Sequence, residues 1–444
     1  MTAYLAEHAW LGGEKVDVDV LIEVDGDRIR AVTPGVTGSA APAGATRLRG
    51  LTLPGLANAH SHAFHRALRG RTHRGGGTFW TWREDMYAVA GRLTPDSYFA
   101  LARATYAEMA LAGITTVGEF HYLHHAPDGR PYAEANAMGE ALIAAAAEAG
   151  IRITLLDACY LTGAPGQPLE GTQLRFGDGD ADAWADRVSA LSGAGHARIG
   201  AAIHSVRAVP ADELATVAGW ATEQGAPLHF HLSEQRAENQ ACQERYGCTP
   251  TELLARHGAL GELSSAVHAT HLTFADIAAL GDSRTTVCMT PTTERDLADG
   301  IGPARNLADA GSPVSLGSDS NAVIDLLEET RALELDERLR TERRGHWSAS
   351  DLLRAATVDG HASLGWSEAG QIAPGGLADL TTISLDSVRL AGWEAETLLE
   401  SAVFAAAAQD VTDVIVGGDE VVRDRRHLAV GDVAGALHRA ITGI

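Results

Sequence analysis

Residues 51–62 read Leu51-Thr52-Leu53-Pro54-Gly55-Leu56-Ala57-Asn58-Ala59-His60-Ser61-His62, an apolar run of strand length that ends on two histidines one residue apart. Side chains of an extended chain alternate between faces, so both imidazoles lie on one side, where one metal ion could hold both. Short apolar runs of the same kind recur at Thr115–His121, Ile151–Cys159, Arg198–Ile203, Pro227–His231, Ala266–Ala269, Thr286–Met289 and Val314–Gly317. With Leu51–Ala59 they make eight strand candidates. Helix-length amphipathic segments separate most of them, among them Pro95–Ala112, Tyr132–Ala149, Asp212–Glu223 and Phe274–Leu280. That rhythm of repeated βα units predicts an α/β fold, a (β/α)8 barrel occupying residues 51–369.

On either side of the barrel the texture is different. Residues 3–33 alternate apolar and polar positions, notably Val16-Asp17-Val18-Asp19-Val20, and turn at Asp25-Gly26-Asp27, as a small antiparallel sheet would. A Gly/Pro/Thr/Ser linker follows over Pro34–Gly44. After residue 365 the alternation returns in Ala378–Ile383 and in Val414–Val422, whose Gly417-Gly418 reads as a hairpin turn. The two ends, 1–50 and 370–444, are therefore expected to share one small composite β-sandwich domain.

The chain of 444 residues is 45% hydrophobic and 21% charged, a globular composition with enough apolar residues for a substantial core. Its formal charge, 35 − 58 = −23, leaves no excess of cations to neutralise phosphates, which argues against nucleic acid or an anionic membrane as partner. No apolar run approaches the roughly 18 residues of a membrane span, and Met1-Thr2-Ala3-Tyr4 does not open a leader, so a cytoplasmic protein is expected. Cys159, Cys242, Cys248 and Cys288 contain no C-x-x-C pair and are read as reduced, buried thiols. Lys15 is the only lysine among 35 basic residues, which disfavours Schiff-base, pyridoxal phosphate and Walker-type chemistry.

Chemistry should collect at the C-terminal ends of barrel strands, and many of the 19 histidines fall there. Strand five ends in His229-Phe230-His231-Leu232-Ser233-Glu234, strand six carries His268-Ala269-Thr270-His271, and strand eight ends in Gly317-Ser318-Asp319-Ser320. Three neutral imidazoles and one carboxylate suit a divalent ion, zinc first and iron second, so His60, His62, His231 and Asp319 are the expected ligands. Such an ion lowers the pKa of bound water towards ~7, which points to hydrolysis. Glu234 is placed to protonate a leaving group, and His268, with Asp319, to orient or deprotonate the water.

The pattern resembles the amidohydrolase superfamily along nearly the whole chain. The stretches that carry the likeness are Leu53–His62, His231 with Glu234, His268, Leu316–Asp319 and Pro374-Gly375-Gly376-Leu377-Ala378-Asp379-Leu380. The resemblance implies a barrel with a composite sheet domain. Strand four, Arg198–Ile203, lacks the lysine that bridges two metals in many members, so the mononuclear, deaminating branch and one ion per chain are implied.

Within that branch the chain is similar to the N-formimino-L-glutamate deiminases of histidine degradation. That likeness rests on His60-Ser61-His62-Ala63-Phe64, Phe79-Trp80-Thr81-Trp82-Arg83-Glu84, Gly118-Glu119-Phe120-His121-Tyr122, His204-Ser205-Val206-Arg207 and Pro291-Thr292-Thr293-Glu294. It implies a dianionic small-molecule substrate whose formimino group is hydrolysed to N-formyl-L-glutamate and ammonia. Arg83 and Arg207 are suited to pair bidentately with its carboxylates, with His204 or Tyr122 adding a hydrogen bond. His65 stands where that family has glutamine, which alters one contact to the substrate backbone. The histidines His73, His121, His124 and His125 are read as supporting or surface groups rather than a second metal site. A homodimer is the expected assembly. Two alternatives stand beside this reading: a deaminase of guanine or an adenosine-like compound, and a non-catalytic metal-binding scaffold, which would have no use for Glu234 and His268.

Overall fold

The computed structural model describes residues 2–37, 40–73, 79–164 and 166–444. Gly38 and Ser39 of the linker, and the side chains of Phe79 and Trp80, lie outside the described residues. Four strands come first: β1 (Thr2–Trp10), β2 (Val16–Asp25), β3 (Arg28–Thr33) and β4 (Thr46–Pro54). Eight barrel strands follow: β5 (Leu56–Ser61), β6 (Ile114–His121), β7 (Arg152–Cys159), β8 (Ala197–Ile203), β9 (Leu228–Leu232), β10 (Ser264–His268), β11 (Thr286–Met289) and β12 (Val314–Leu316). The chain then returns to the first sheet with β13 (Leu380–Ile383), β14 (Val411–Val416), β15 (Asp419–Arg423) and β16 (Arg426–His427).

The expected strand over Leu51–Ala59 is in fact two strands, in two different sheets. Pro54 ends β4, and at Gly55 an added Cβ would lie 2.2 Å from Thr115 Oγ1, so only glycine lets the chain pass that close to β6. The Gly55 amide donates to Asp379 O at 2.8 Å as it turns. An uninterrupted apolar run concealed this switch of sheets.

In the barrel the order β12-β11-β10-β9-β8-β7-β6-β5 is parallel throughout. Nearly every strand residue is buried, as expected where helices cover the outer face. Closure between β12 and β5 is made just past their ends, where Ser61 bridges Asp319. There Asp319 N donates to His60 O at 2.9 Å and His62 N to Asp319 O at 3.1 Å. The helices Pro95–Leu111, Ala211–Gln224 and Phe274–Asp282 match the expected ones within two residues. The helix expected from Tyr132 begins at Ala137 instead, because Asn136 at its start is drawn into hydrogen bonds with Arg187.

The second sheet runs β16-β15-β14-β13-β4-β1-β2-β3 and joins both ends of the chain through the antiparallel pair β13–β4. Its strands form one continuous hydrogen-bonded ladder that curls over on itself. Arg28 bridges Leu377, and Tyr4 Oη donates to Gly418 O at 2.9 Å. The fold encloses a small core that includes Tyr4, Val20, Ile22, Ile29, Leu380 and Ile415. Gly417 and Gly418, with φ of 59° and 82°, make the tight turn between β14 and β15 that the sequence suggested.

One ion pair ties this sheet to the barrel. Arg152, at the start of β7, meets the buried Asp379 with Nε–Oδ2 2.9 Å and Nη2–Oδ1 3.2 Å, and Gly417 N donates to Asp379 Oδ1 at 2.7 Å. Replacing Asp379 with asparagine keeps the shape and leaves Arg152 buried without its counter-charge. Breaking such a pair costs about 3–5 kcal/mol. Asp379→Asn is therefore expected to lower unfolding stability by that amount in a denaturant titration, and a loss below about 1 kcal/mol would show that the pair does not hold the two sheets together.

Candidate active site

Three strand ends build the centre. His60 and His62 leave β5 on one face, His231 sits one residue before the end of β9, and Asp319 follows β12 by three residues. Asp319 reaches the others because Gly317 allows its strand to lie against β5. A Cβ at 317 would stand 2.7–2.9 Å from His60 O, Cβ and N. Asp319 itself has φ 42°, held by the two backbone hydrogen bonds of the seam. Beside it Asn58 Oδ1 accepts from Ser318 N at 2.8 Å, Ser318 Oγ donates to Asn321 Oδ1 at 2.6 Å, and Asn321 Nδ2 donates to His62 O at 2.9 Å.

The donor atoms fit one ion. His60 Nε2 is 3.2 Å from His231 Nε2 and 3.4 Å from Asp319 Oδ1, which is also 3.4 Å from His62 Nε2. Ligands about 2.0–2.1 Å from a tetrahedral ion stand about 3.3–3.4 Å apart. The imidazoles also face the right way. His62 Nδ1 donates to Phe120 O and His231 Nδ1 to His204 O, each at 2.9 Å, so the lone pair of each lies on Nε2. Burial keeps these rings neutral: it brings His60 down to about 3 and pushes His62 and His231 below the ordinary histidine value. Burial works to raise Asp319, but its hydrogen bond to His60 and its contacts with the facing His60, His268 and His62 imidazoles outweigh it and hold the carboxyl low.

Glu234 and His268 stand over this cluster. His268 Nε2 lies 3.9 Å from both Glu234 Oε1 and Asp319 Oδ2. Burial raises Glu234, more than nearby His268 and Arg207 lower it. For His268 burial acts downward, but the carboxylates of Glu234, Asp319 and Glu294 prevail and carry it up to about 10. A cation among the four ligands would oppose that rise. Arg207 reaches Glu238 with Nε–Oε2 3.0 Å and Glu234 with Nη2–Oε2 4.0 Å. Glu238 also accepts from Ser233 N at 2.8 Å, so it anchors both the arginine and the loop that carries Glu234.

A pocket opens above these groups, and the expected substrate contacts His65, Arg83, Tyr122, His204 and Arg207 all line it, with His62, His231, Glu234, His268 and Asp319. His60 lies behind this surface, fully buried. His65 Nε2 meets Tyr122 Oη at 3.0 Å, and its ring stands edge-on to Trp82 at 5.0 Å. Arg83 Nε donates to Tyr87 Oη at 2.6 Å and its Nη2 approaches Tyr160 Oη at 3.5 Å. Tyr160, Tyr87, Met86, Phe176 and Leu297 complete the wall without having been singled out in the sequence. Tyr160 alone had a legible signal, since it directly follows the last residue of β7. Glu119, inside β6, accepts from Ala63 N at 2.7 Å just after the His60/His62 pair, and burial raises it to about 8.

Away from the pocket, His121, His124 and Asp157 bring potential ligand atoms together. Both Asp157 oxygens are already taken by Arg187, at 2.8 and 2.9 Å, and Trp184 Nε1 donates to one of them at 3.0 Å. Arg187 also pairs with Asp178, which His125 meets at 3.0 Å. The guanidinium thus supplies the positive charge of this cluster. His73 pairs with Asp296 at 2.6 Å, with its own side chain 58% exposed.

The chain matches the family model described as the amidohydrolase family over residues 51–421. It is 38% identical over 443 residues to the formimidoylglutamate deiminase of Pseudomonas aeruginosa, a match that spans 96% of each chain. It is 30% identical to the 5-methylthioadenosine/S-adenosylhomocysteine deaminase of Natronomonas pharaonis, over 88% of this chain and 85% of that protein. Among solved structures an amidohydrolase from Brucella melitensis superposes with a TM-score of 0.92 at 32% identity, covering 100% of this chain and 99% of that one. Barrel, composite sheet and family match agree: the chain belongs to the amidohydrolase family.

Proposed function

We propose that this protein is a metal-dependent hydrolase that converts N-formimino-L-glutamate to N-formyl-L-glutamate and ammonia. The observation that carries the reading is the presence of both arginines and acids in one pocket. In a protein of net charge −23, Arg83 and Arg207 line the same cavity as the acids Glu234 and Asp319. A substrate with two carboxylates and a formamidine offers a partner to each kind of charge. The identity of 38% to a formimidoylglutamate deiminase supports the same choice over the nucleoside and nucleobase deaminases.

His60, His62, His231 and Asp319 would hold one divalent ion, with zinc first choice and iron second. When bound, the ion supplies a Lewis acid and a water acidified towards pKa ~7. The protein groups move the protons. Written for the neutral formimino group, water adds its oxygen to the carbon while His268, assisted by Asp319, takes one of its protons and Glu234 gives one to the nitrogen. As the C–N bond breaks, His268 passes its proton to the departing ammonia. The remaining hydroxyl proton returns to Glu234, and the C=O bond of the formyl group forms. Arg83, Arg207, His204, Tyr122 and His65 would hold the carboxylates and backbone of the substrate. Residence in the cytoplasm and assembly as a homodimer belong to the same reading; Phe274, Leu339 and Val388, the most exposed large apolar side chains among the described residues, are available for a second copy to cover.

Ammonia release from formiminoglutamate by metal-loaded protein tests the assignment, and efficient deamination of guanine or an adenosine-like compound in its place overturns it. Metal analysis of active protein should give one ion per chain, and chelation should abolish turnover until zinc is restored; two tightly held ions would contradict the mononuclear site. Glu234→Gln should keep fold and metal but cut turnover by ~10²-fold or more, a result that unchanged turnover would exclude. Arg207→Met and Arg83→Met should each raise KM by about 10- to 150-fold, the loss of one charge-assisted contact of roughly 1.5–3 kcal/mol. Formiminoglycine, with one carboxylate, separates them: the variant that has lost the side-chain contact discriminates less against it than wild type does. No change on either substrate would remove that arginine from the binding site.

A further inference from the structure

His268 has two ring nitrogens, and only one of them faces the reacting groups. Nε2 looks towards Glu234 and Asp319, whereas Nδ1 turns away to Thr290 Oγ1 at 3.0 Å. Thr290 is the residue after β11 and is fully buried. Its hydroxyl lies 3.4 Å from Glu294 Oε1, the same oxygen that accepts the Thr290 backbone N–H at 3.0 Å. Glu294 is 5% exposed, one turn along the short helix Pro291–Asp296.

One set of protons makes both hydrogen bonds of the Thr290 hydroxyl. A hydroxyl has a single proton to give, and a carboxylate can only accept. In that set the Thr290 proton goes to Glu294, and Thr290 Oγ accepts the Nδ1–H of His268. We propose that Thr290 and Glu294 are positioning residues that keep a proton on His268 Nδ1, and so reserve Nε2 as the nitrogen that takes a proton and returns it. The inference rests on the function proposed above for its link to turnover. Nδ1–H is donated to Thr290 in both the neutral and the cationic ring, so the hydrogen bond persists through the cycle while Nε2 alone changes. A purely structural reading would make Glu294 a cap for the helix that follows. The Glu294–Thr290 backbone bond serves that purpose by itself, and it does not require a hydroxyl at 3.0 Å from the imidazole.

Thr290→Val removes the hydroxyl at constant shape, and Thr290→Ser restores it. Thr290→Val should lower kcat for formiminoglutamate by about 10- to 100-fold, the usual loss when a group that orients a reactive histidine is removed, with KM and metal content within twofold of wild type. Thr290→Ser should recover most of that loss. Glu294→Met, which removes the acceptor at similar length, should behave like Thr290→Val, because the Thr290 hydroxyl then has no carboxylate to donate to and can turn its proton towards His268. Wild-type kcat in Thr290→Val overturns the proposal, as does an equal loss in Thr290→Ser. A second measurement needs no substrate and so separates failure of this inference from failure of the assigned activity. In long-range proton–nitrogen spectra of histidine-labelled, metal-loaded protein, the His268 signals are those lost in His268→Asn. They should report a protonated Nδ1 in wild type and a shift towards protonated Nε2 in Thr290→Val. An unprotonated Nδ1 in wild type overturns the proposal, whatever the enzyme's substrate.

Discussion

Everything at the active end of this barrel depends on the seam between β5 and β12. Closing eight strands requires the backbone after Leu316 to lie against His60, and it does so only because residue 317 carries no side chain. The hydrogen bonds that make the seam use the backbone of His60, His62 and Asp319, three of the four expected metal ligands. The position of the ligand cluster is thus a by-product of barrel closure rather than of the loops. Asn58, Ser318 and Asn321 satisfy one another beneath it in a buried polar network. Such a network, fully paired in a low-dielectric core, fixes its members more firmly than an exposed one could.

The charge around His268 is the next constraint. Glu234, Asp319 and Glu294 all place an oxygen within 3.9 Å of this one imidazole. Asp299 adds a fourth acid, raised to about 8 by burial first and then by the charge of Glu234. So much negative charge in one buried place is stable only beside cations. Arg207 supplies one on the side of Glu238, and a divalent ion among the four ligands would supply the other. The pocket therefore carries acids and arginines on one lining, with Arg207 set directly against Glu234 and Glu238.

The parts of this arrangement that were legible in sequence are those set by local order. Runs buried on both faces, repeated with helices between them, disclosed the eight barrel strands, and the barrel rule then placed His60, His62, His231, Glu234, His268 and Asp319 at one mouth. The boundary at Pro54-Gly55 was hidden because apolar residues continue across it into a different sheet. The Arg152–Asp379 pair joins residues 227 apart, and no local pattern announces it. The same holds for Glu238, whose hold on Arg207 depends on how the helix Arg236–Tyr246 packs. Glu294 shows why a motif can be visible while its purpose is not, since the stretch Pro291–Glu294 acquires meaning only once Thr290 and His268 are beside it.

Backbone strain gathers in the same place. Among the described residues eleven other than glycine have positive φ, and five of them, Ser233, His268, Ala269, Asp319 and Asn321, lie at the ends of β9, β10 and β12. Each such residue costs of order 1–3 kcal/mol and persists only where its surroundings dictate it. Glycine would relieve the strain, yet at 268 and 319 it would also remove the side chain that the site needs. The left-handed turn has a geometric use there: it lets a strand present its last side chain to the barrel axis and then leave at once, so that residues from several strands can meet without their connecting loops colliding. The hydrogen bonds of the seam and the packed strands below hold these conformations in place, which is why two residues of positive φ, His268 and Asp319, can stand in the lining of the pocket.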